Sequence, residues 1–128
     1  MTKIEIDINN LKINYIKKGE GRTVLMIPGW GAPINTYITL INSISSYANV
    51  VCLDMPGTGE SEEPKESWDL ENYIDFIKKF IESQNIKELD LIGHSNGGRI
   101  IIKLMSEQNL KFKVGKIILI GSAGILHK

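Results

Sequence analysis

Apolar and polar residues change period several times along this chain, and each change marks an element. Ile4-Glu5-Ile6-Asp7-Ile8 alternates strictly, the period-two pattern of a half-buried strand. Asn9-Asn10 is a turn signal, and Lys12 to Lys17 reads as a second strand, so the two predict a hairpin. Gly19-Glu20-Gly21 breaks the chain. Thr23 to Ile27 is continuously apolar after its threonine, as a strand covered on both faces is, and Pro28-Gly29-Trp30-Gly31 ends it. The period then lengthens. Tyr37, Leu40, Ile41, Ile44 and Tyr47 fall at helical spacing and predict a helix over 35–47 with one apolar face. Val50 to Leu53 is the next buried strand, and a loop rich in Gly, Pro and Glu covers 54–67. Leu70, Tyr73, Ile74, Ile77, Phe80 and Ile81 mark a second helix, with Ser67 or Asp69 as its N-cap. Leu89 to Ile92 reads as a strand and Arg99 to Met105 as a helix. In that helix Ile100, Ile101 and Ile102 are expected in the core and Arg99 on the surface. Lys116 to Ile120 is the last strand.

From Thr23 onward the order is β-α-β-α-β-α-β, which implies a parallel sheet with right-handed crossovers. With the N-terminal hairpin this is an α/β fold, a mostly parallel sheet of about six strands with helices on both faces. No repeat or linker divides it, so residues 1–128 are read as one domain. Ligands of such sheets sit outside the carboxyl ends of the strands. Three glycine-rich loops lie there, at 28–32, 54–61 and 93–98, and together they can line one site.

At 128 residues the chain is long enough for a real core. Its 15 basic and 15 acidic residues cancel, which gives no ground for a nucleic-acid or anionic-membrane partner. The one cysteine, Cys52, has no internal disulfide partner. The alternating N-terminus lacks the apolar core of a signal peptide, and no run is long enough to span a membrane. These features predict a cytoplasmic protein.

The candidate chemistry lies in Gly93-His94-Ser95-Asn96-Gly97, a G-x-S-x-G sequence between a strand and a helix. That is the setting of a nucleophile elbow, in which a sharp turn projects the serine hydroxyl. Gly93 and Gly97 leave room for neighbouring elements to approach. The backbone N–H of Asn96, at a helix start, is a natural half of an oxyanion hole. The bland alternative is a strand-to-helix turn with a capping serine. Gly29 and the Trp30 N–H are candidates for the other half of the hole, against the alternative of a Pro-Gly turn with an indole filling a gap. The loop from Asp54 to Ser61 lacks the third glycine of a dinucleotide fingerprint and the Gly-Lys-Ser/Thr of a P-loop, so Asp54 is read as bonding local backbone. His94 is read as a packing residue rather than a base, since adjacent residues on a turn point apart. His127, one residue from the end, is a poor candidate for the base.

Taken together, Pro28-Gly29-Trp30-Gly31, the loop 54–61 and Gly93 to Gly98 resemble the α/β-hydrolase family, in particular its cofactor-free esterase, lipase and aminopeptidase-like members. The resemblance implies Ser95 as nucleophile, the Trp30 and Asn96 N–H groups as oxyanion hole, no cofactor or metal, and a small ester or acyl substrate. Pro28 stands where many members carry histidine, a side chain that does not itself hold the oxyanion. A serine at position 95 argues against dehalogenases and epoxide hydrolases, whose nucleophile is a carboxylate.

The family's later strands, which bring its acid and histidine, have no counterpart in these residues. The expectation is therefore the N-terminal part of a serine hydrolase, inactive by itself for want of base and acid. Ile117 to Ile120 is apolar on both faces, and as a terminal edge it would be an open pairing surface. The first helix is expected to lack a neighbour on its face of the sheet, leaving apolar surface exposed. The competing reading is a non-catalytic interaction module that pairs through residues 116–120 with itself, with a missing C-terminal segment or with another chain. A third reading makes the chain a complete enzyme that uses His127.

Overall fold

The computed structural model describes residues 2–121, so His127 and the last residues of the chain lie outside the described residues. Six strands form one sheet: β1 (Thr2–Ile8), β2 (Leu11–Lys18), β3 (Thr23–Ile27), β4 (Asn49–Leu53), β5 (Glu88–His94) and β6 (Lys113–Ile120). The helices are α1 (Ile38–Ile44), α2 (Leu70–Ser83) and α3 (Asn96–Leu104). The sheet order is β1-β2-β4-β3-β5-β6. β1 and β2 form the expected antiparallel hairpin, closed at Asn9 and Asn10, both at positive φ (54° and 63°) as a tight two-residue hairpin turn requires. β2 joins β4 antiparallel, and β4, β3, β5 and β6 run parallel.

Alternation along the central strands sends side chains into two cores. Leu25, Ile27, Val51, Leu53, Leu89 and Leu91 pack under α2 and α3 with Phe76, Phe80, Ile100 and Ile101. Val24, Met26, Val50, Cys52 and Ile92 pack under α1 with Ile41 and Ile44. Burial on both faces explains why β3 and β4 read as unbroken apolar runs. Cys52 belongs to the second core, where burial first, and then Asp54, push its thiol up to about 12. It behaves as a small apolar residue and not as a thiolate nucleophile.

Three sequence expectations shift and a fourth is narrowed. The first helix is shorter than 35–47: Ile34–Tyr37 is a 3-10 turn and the α-helix covers only Ile38–Ile44. Tyr47 is therefore past the helix and 75% exposed, and Ala48 takes the buried place instead. Second, α3 begins at Asn96, and Ile102 is 43% exposed rather than core. Successive helical residues are about 100° apart, so a run of three isoleucines cannot face one way. Third, β6 begins at Lys113, three residues earlier than expected. A bulge opposite Asp90 breaks its pattern, and the Asp90 carboxylate accepts the Lys116 N–H there (2.7 Å). Fourth, of the two N-cap candidates for α2 the structure uses Asp69. Its side chain accepts the Asn72 N–H while the Asn72 side chain accepts the Asp69 N–H, both at 2.9 Å.

β6 is the last strand of the sheet, and Ile117, Ile118 and Ile120 are large apolar residues exposed on it. α1 lies by itself on its face among the described residues, and an open groove of about 430 Å³ runs between it and β6, lined in part by Leu40, Ile92 and Ile120.

Candidate active site

β3 is the point where the chain reverses its direction of travel across the sheet, with β4 on one side and β5 on the other. The crevice beyond such a switch point is where open α/β sheets hold ligands. The loops that leave β3 and β5 therefore meet at the favoured place, and these loops carry Gly29-Trp30 and Ser95-Asn96.

Ser95 stands at φ 55°, ψ −120°. Positive φ is uncommon for a residue with a Cβ, and this ψ lies well away from the small left-handed helical region. A plain capping serine has extended backbone and accepts a helix N–H; Ser95 does neither, and its side chain makes no cap bond. The turn is held by its surroundings. The Ser95 N–H donates to the Ile120 carbonyl (3.1 Å) and the Gly98 N–H to the Ser95 carbonyl (3.1 Å). A Cβ on Gly97 would collide with the Ile27 and Pro28 carbonyls, and one on Gly93 would come within 2.7 Å of Gly98. Both glycines let α3 start directly against β3 and β5.

On the other side of the crevice, Gly29 to Ala32 form a tight turn. The Ala32 N–H donates to the Gly29 carbonyl (3.2 Å), and Gly31 takes the positive φ (76°) that a type II turn needs at its third position. Because a trans peptide points its N–H opposite to its C=O, fixing the Gly29 carbonyl also aims the Trp30 N–H. Neither the Trp30 nor the Asn96 N–H has an acceptor among the described residues. The loops touch: a Cβ on Gly29 would lie 3.1 Å from the Ser95 Cβ. The indole of Trp30 does not plug a gap. It is 49% exposed and packs on Tyr73, ring centroids 5.4 Å apart, and Tyr73 meets Trp68 edge-on at 5.2 Å.

His94 is the only imidazole among the described residues, and no hydrogen bond joins it to Ser95. Its Nδ1 lies 2.8 Å from the Tyr37 hydroxyl, which also accepts the Gly29 N–H (2.9 Å). Burial raises the Tyr37 phenol above its usual value, against the Gly29 bond, which lowers it. Tyr37 was visible in the sequence only as an apolar-face residue. The signal that it does more is general: a tyrosine at a core position needs a partner for its hydroxyl.

Asp54 reaches further than local backbone. Its carboxylate accepts the Glu60 N–H (3.0 Å) within its own loop, but also the Ile34 N–H (2.9 Å) and the Asn14 side-chain amide (3.0 Å). It ties the third loop to the segment that follows the Trp30 turn and to the hairpin. A Cβ on Gly59 would strike this carboxylate. Among the described residues no group of His, Cys, Asp and Glu is arranged to hold a metal ion, and no helix is long and apolar enough to cross a membrane.

Comparison with known proteins gives this geometry a family. A model of the alpha/beta hydrolase fold matches residues 22–127. The chain is 32% identical over 92 residues to the (E)-2-((N-methylformamido)methylene)succinate hydrolase of Acinetobacter baylyi, covering 72% of this chain and 35% of that protein. It is 29% identical over 99 residues to the dihydrolipoyllysine-residue acetyltransferase component of the acetoin cleaving system of Cupriavidus necator, covering 77% of this chain and 26% of that protein. In structure it is similar to a bacterial membrane phospholipase A, with a TM-score of 0.88, 27% identity, and 98% of this chain against 41% of that one. The chain thus spans well under half the length of these relatives. With its sheet order, its strained turn after β5 and its match over residues 22–127, the chain belongs to the alpha/beta hydrolase family.

Proposed function

We propose that this chain carries the nucleophile and the oxyanion-binding half of a serine hydrolase acting on a carboxylic ester or similar acyl substrate. The observation that carries the reading is the strained Ser95, its hydroxyl unbonded among the described residues and set beside two backbone N–H groups without acceptors. The Ser95 Oγ attacks the acyl carbon and its proton passes to a base. The carbonyl electron pair moves onto oxygen, where the Trp30 and Asn96 N–H groups meet the developing charge. Collapse of the adduct expels the alcohol, which takes up that proton, and water then frees the acyl group from Ser95. No imidazole of residues 2–121 is hydrogen-bonded to Ser95, and with base and acid supplied from outside the 128 residues the chain by itself is inactive or nearly so. That a relative 32% identical over 92 residues is a hydrolase supports the hydrolytic reading.

The test supplies the absent base. A fluorophosphonate is incubated with the chain with and without imidazole, and the adduct is located by mass spectrometry. A general base contributes on the order of 10²–10⁴ in rate. The expected result is slow labelling of Ser95 alone, accelerated about tenfold or more by imidazole and abolished in Ser95→Ala. Absence of a Ser95 adduct even with imidazole overturns the proposal. Fast stoichiometric labelling without imidazole would place the base within the 128 residues.

A second reading rests on the exposed isoleucines of β6: the chain pairs through this edge with a further segment or a second copy. The two are compatible, since pairing at β6 leaves the crevice after β3 and β5 open.

A further inference from the structure

Tyr37 is buried, yet it belongs to neither of the loops that carry the candidate donors. Its hydroxyl meets both of them. A phenol offers one proton and two lone pairs. The Gly29 amide can only donate, so it occupies a lone pair at 2.9 Å. The phenol proton then has one acceptor within reach, His94 Nδ1 at 2.8 Å. This assignment gives both the phenol proton and Nδ1 a partner, whereas a His94 Nδ1–H pointing at Tyr37 would leave the phenol proton without a protein acceptor in a part-buried site. The neutral His94 ring is thereby fixed with its proton on Nε2, and its Nδ1 is not free to serve Ser95. The two rings also pack edge to face, centroids 5.5 Å apart at 73°.

Gly29 immediately precedes Trp30, and His94 immediately precedes Ser95. One hydroxyl therefore holds the residue just before one half of the candidate hole and the residue two before the other. We infer that Tyr37 is a positioning residue, whose hydroxyl sets the spacing of the Trp30 and Asn96 amides by holding Gly29 and His94 together. The inference rests on the hydrolase reading of Ser95. An oxyanion donor acts on the transition state far more than on the bound substrate, so a misplaced pair slows the chemical step and leaves binding nearly unchanged.

Tyr37→Phe removes the hydroxyl and keeps the ring. In the imidazole-assisted fluorophosphonate reaction, this variant is expected to label Ser95 about tenfold more slowly, with the reagent concentration at half-saturation unchanged. In nitrogen-15 NMR the neutral His94 ring loses its single tautomer, and the Trp30 and Asn96 amide resonances both move. If Tyr37→Phe does not fold, two His94 variants decide. His94→Asn, whose side-chain oxygen stands in for Nδ1 as acceptor, is expected to label several-fold faster than His94→Ala. A labelling rate within twofold of the parent, or an unchanged His94 tautomer with unmoved amides, or equal rates for the two His94 variants, overturns the inference. If the parent chain itself gives no Ser95 adduct, the hydrolase reading falls instead, and the NMR comparison still decides whether Tyr37 couples the loops.

Discussion

Gly97 lies so close to the Ile27 carbonyl that no side chain fits between them. This contact joins the first turn of α3 to the end of β3, and it brings the Ser95 turn up against the Gly29-Trp30 turn. Gly97→Ala adds one methyl group where only backbone is available to move. Overpacking of this kind costs about 1–3 kcal/mol. Thermal and urea melts of the variant are expected to show a loss in that range, with weaker Ser95 labelling.

At the opposite end of the sheet, Arg22 grips Asp90 at two points, Nε to Oδ2 at 2.9 Å and a terminal nitrogen to Oδ1 at 3.0 Å, and a further arm of Arg22 reaches Glu88 at 3.1 Å. The Arg22 bonds chiefly, with help from the Lys116 N–H, hold the Asp90 carboxyl below the ordinary carboxylate range. A folded-state value below the unfolded one means stability that is present above about pH 4, the unfolded carboxylate value, and lost as pH falls through the lower folded value. Urea unfolding of the parent and of Asp90→Asn at several pH values checks this. The parent's advantage should be full at pH 7 and shrink steadily below pH 4; an advantage that grows on acidification would reverse the sign.

Asp54 is 3% exposed and accepts three N–H groups from three separate segments. Asp54→Ala strands all three donors, two of them in buried bonds. With about 1–3 kcal/mol for each unsatisfied group, the loss is expected to reach roughly 3 kcal/mol or more in denaturant titration. Amide exchange at Ile34 and Glu60 should rise together in this variant. Faster exchange at Glu60 alone would mean that Asp54 organises only its own loop.

Among the described residues, the β6 edge combines backbone without a partner strand and exposed isoleucines, the arrangement that invites strand addition. Sedimentation velocity of the 128-residue chain is expected to show concentration-dependent association. Ile118→Lys should weaken it by placing a charge on that face. Monomer at all concentrations, identical in parent and variant, would remove pairing through β6 as a property of this chain.

The strands and the serine turn were legible for local reasons. β3 and β4 are apolar on both faces, so they stand out as unbroken runs whatever their neighbours are. Asn9-Asn10 closes a hairpin by its own backbone preference. The end of α1 was not legible. Tyr47 fits the helical period, but the period governs direction only while the helix lasts, and after Ile44 the core accepts Ala48 in its place. The early start of β6 was hidden by a bulge at Gly115 and Lys116, where the Arg22–Asp90 pair lies against the strand.

The sequence by itself determined the element types, the α/β class and the identity of the candidate nucleophile, because period, turn residues and glycine spacing act over a few residues at a time. Only the tertiary structure decided the strand order that puts the loops of β3 and β5 side by side, the carboxylate hub of Asp54 and the link from Tyr37 to both Gly29 and His94. Tyr37 and His94 are 57 positions apart, and no periodicity spans that distance. Such a bond forms because two faces of a packed core bring a buried hydroxyl and an imidazole together, and burial leaves each no better partner than the other.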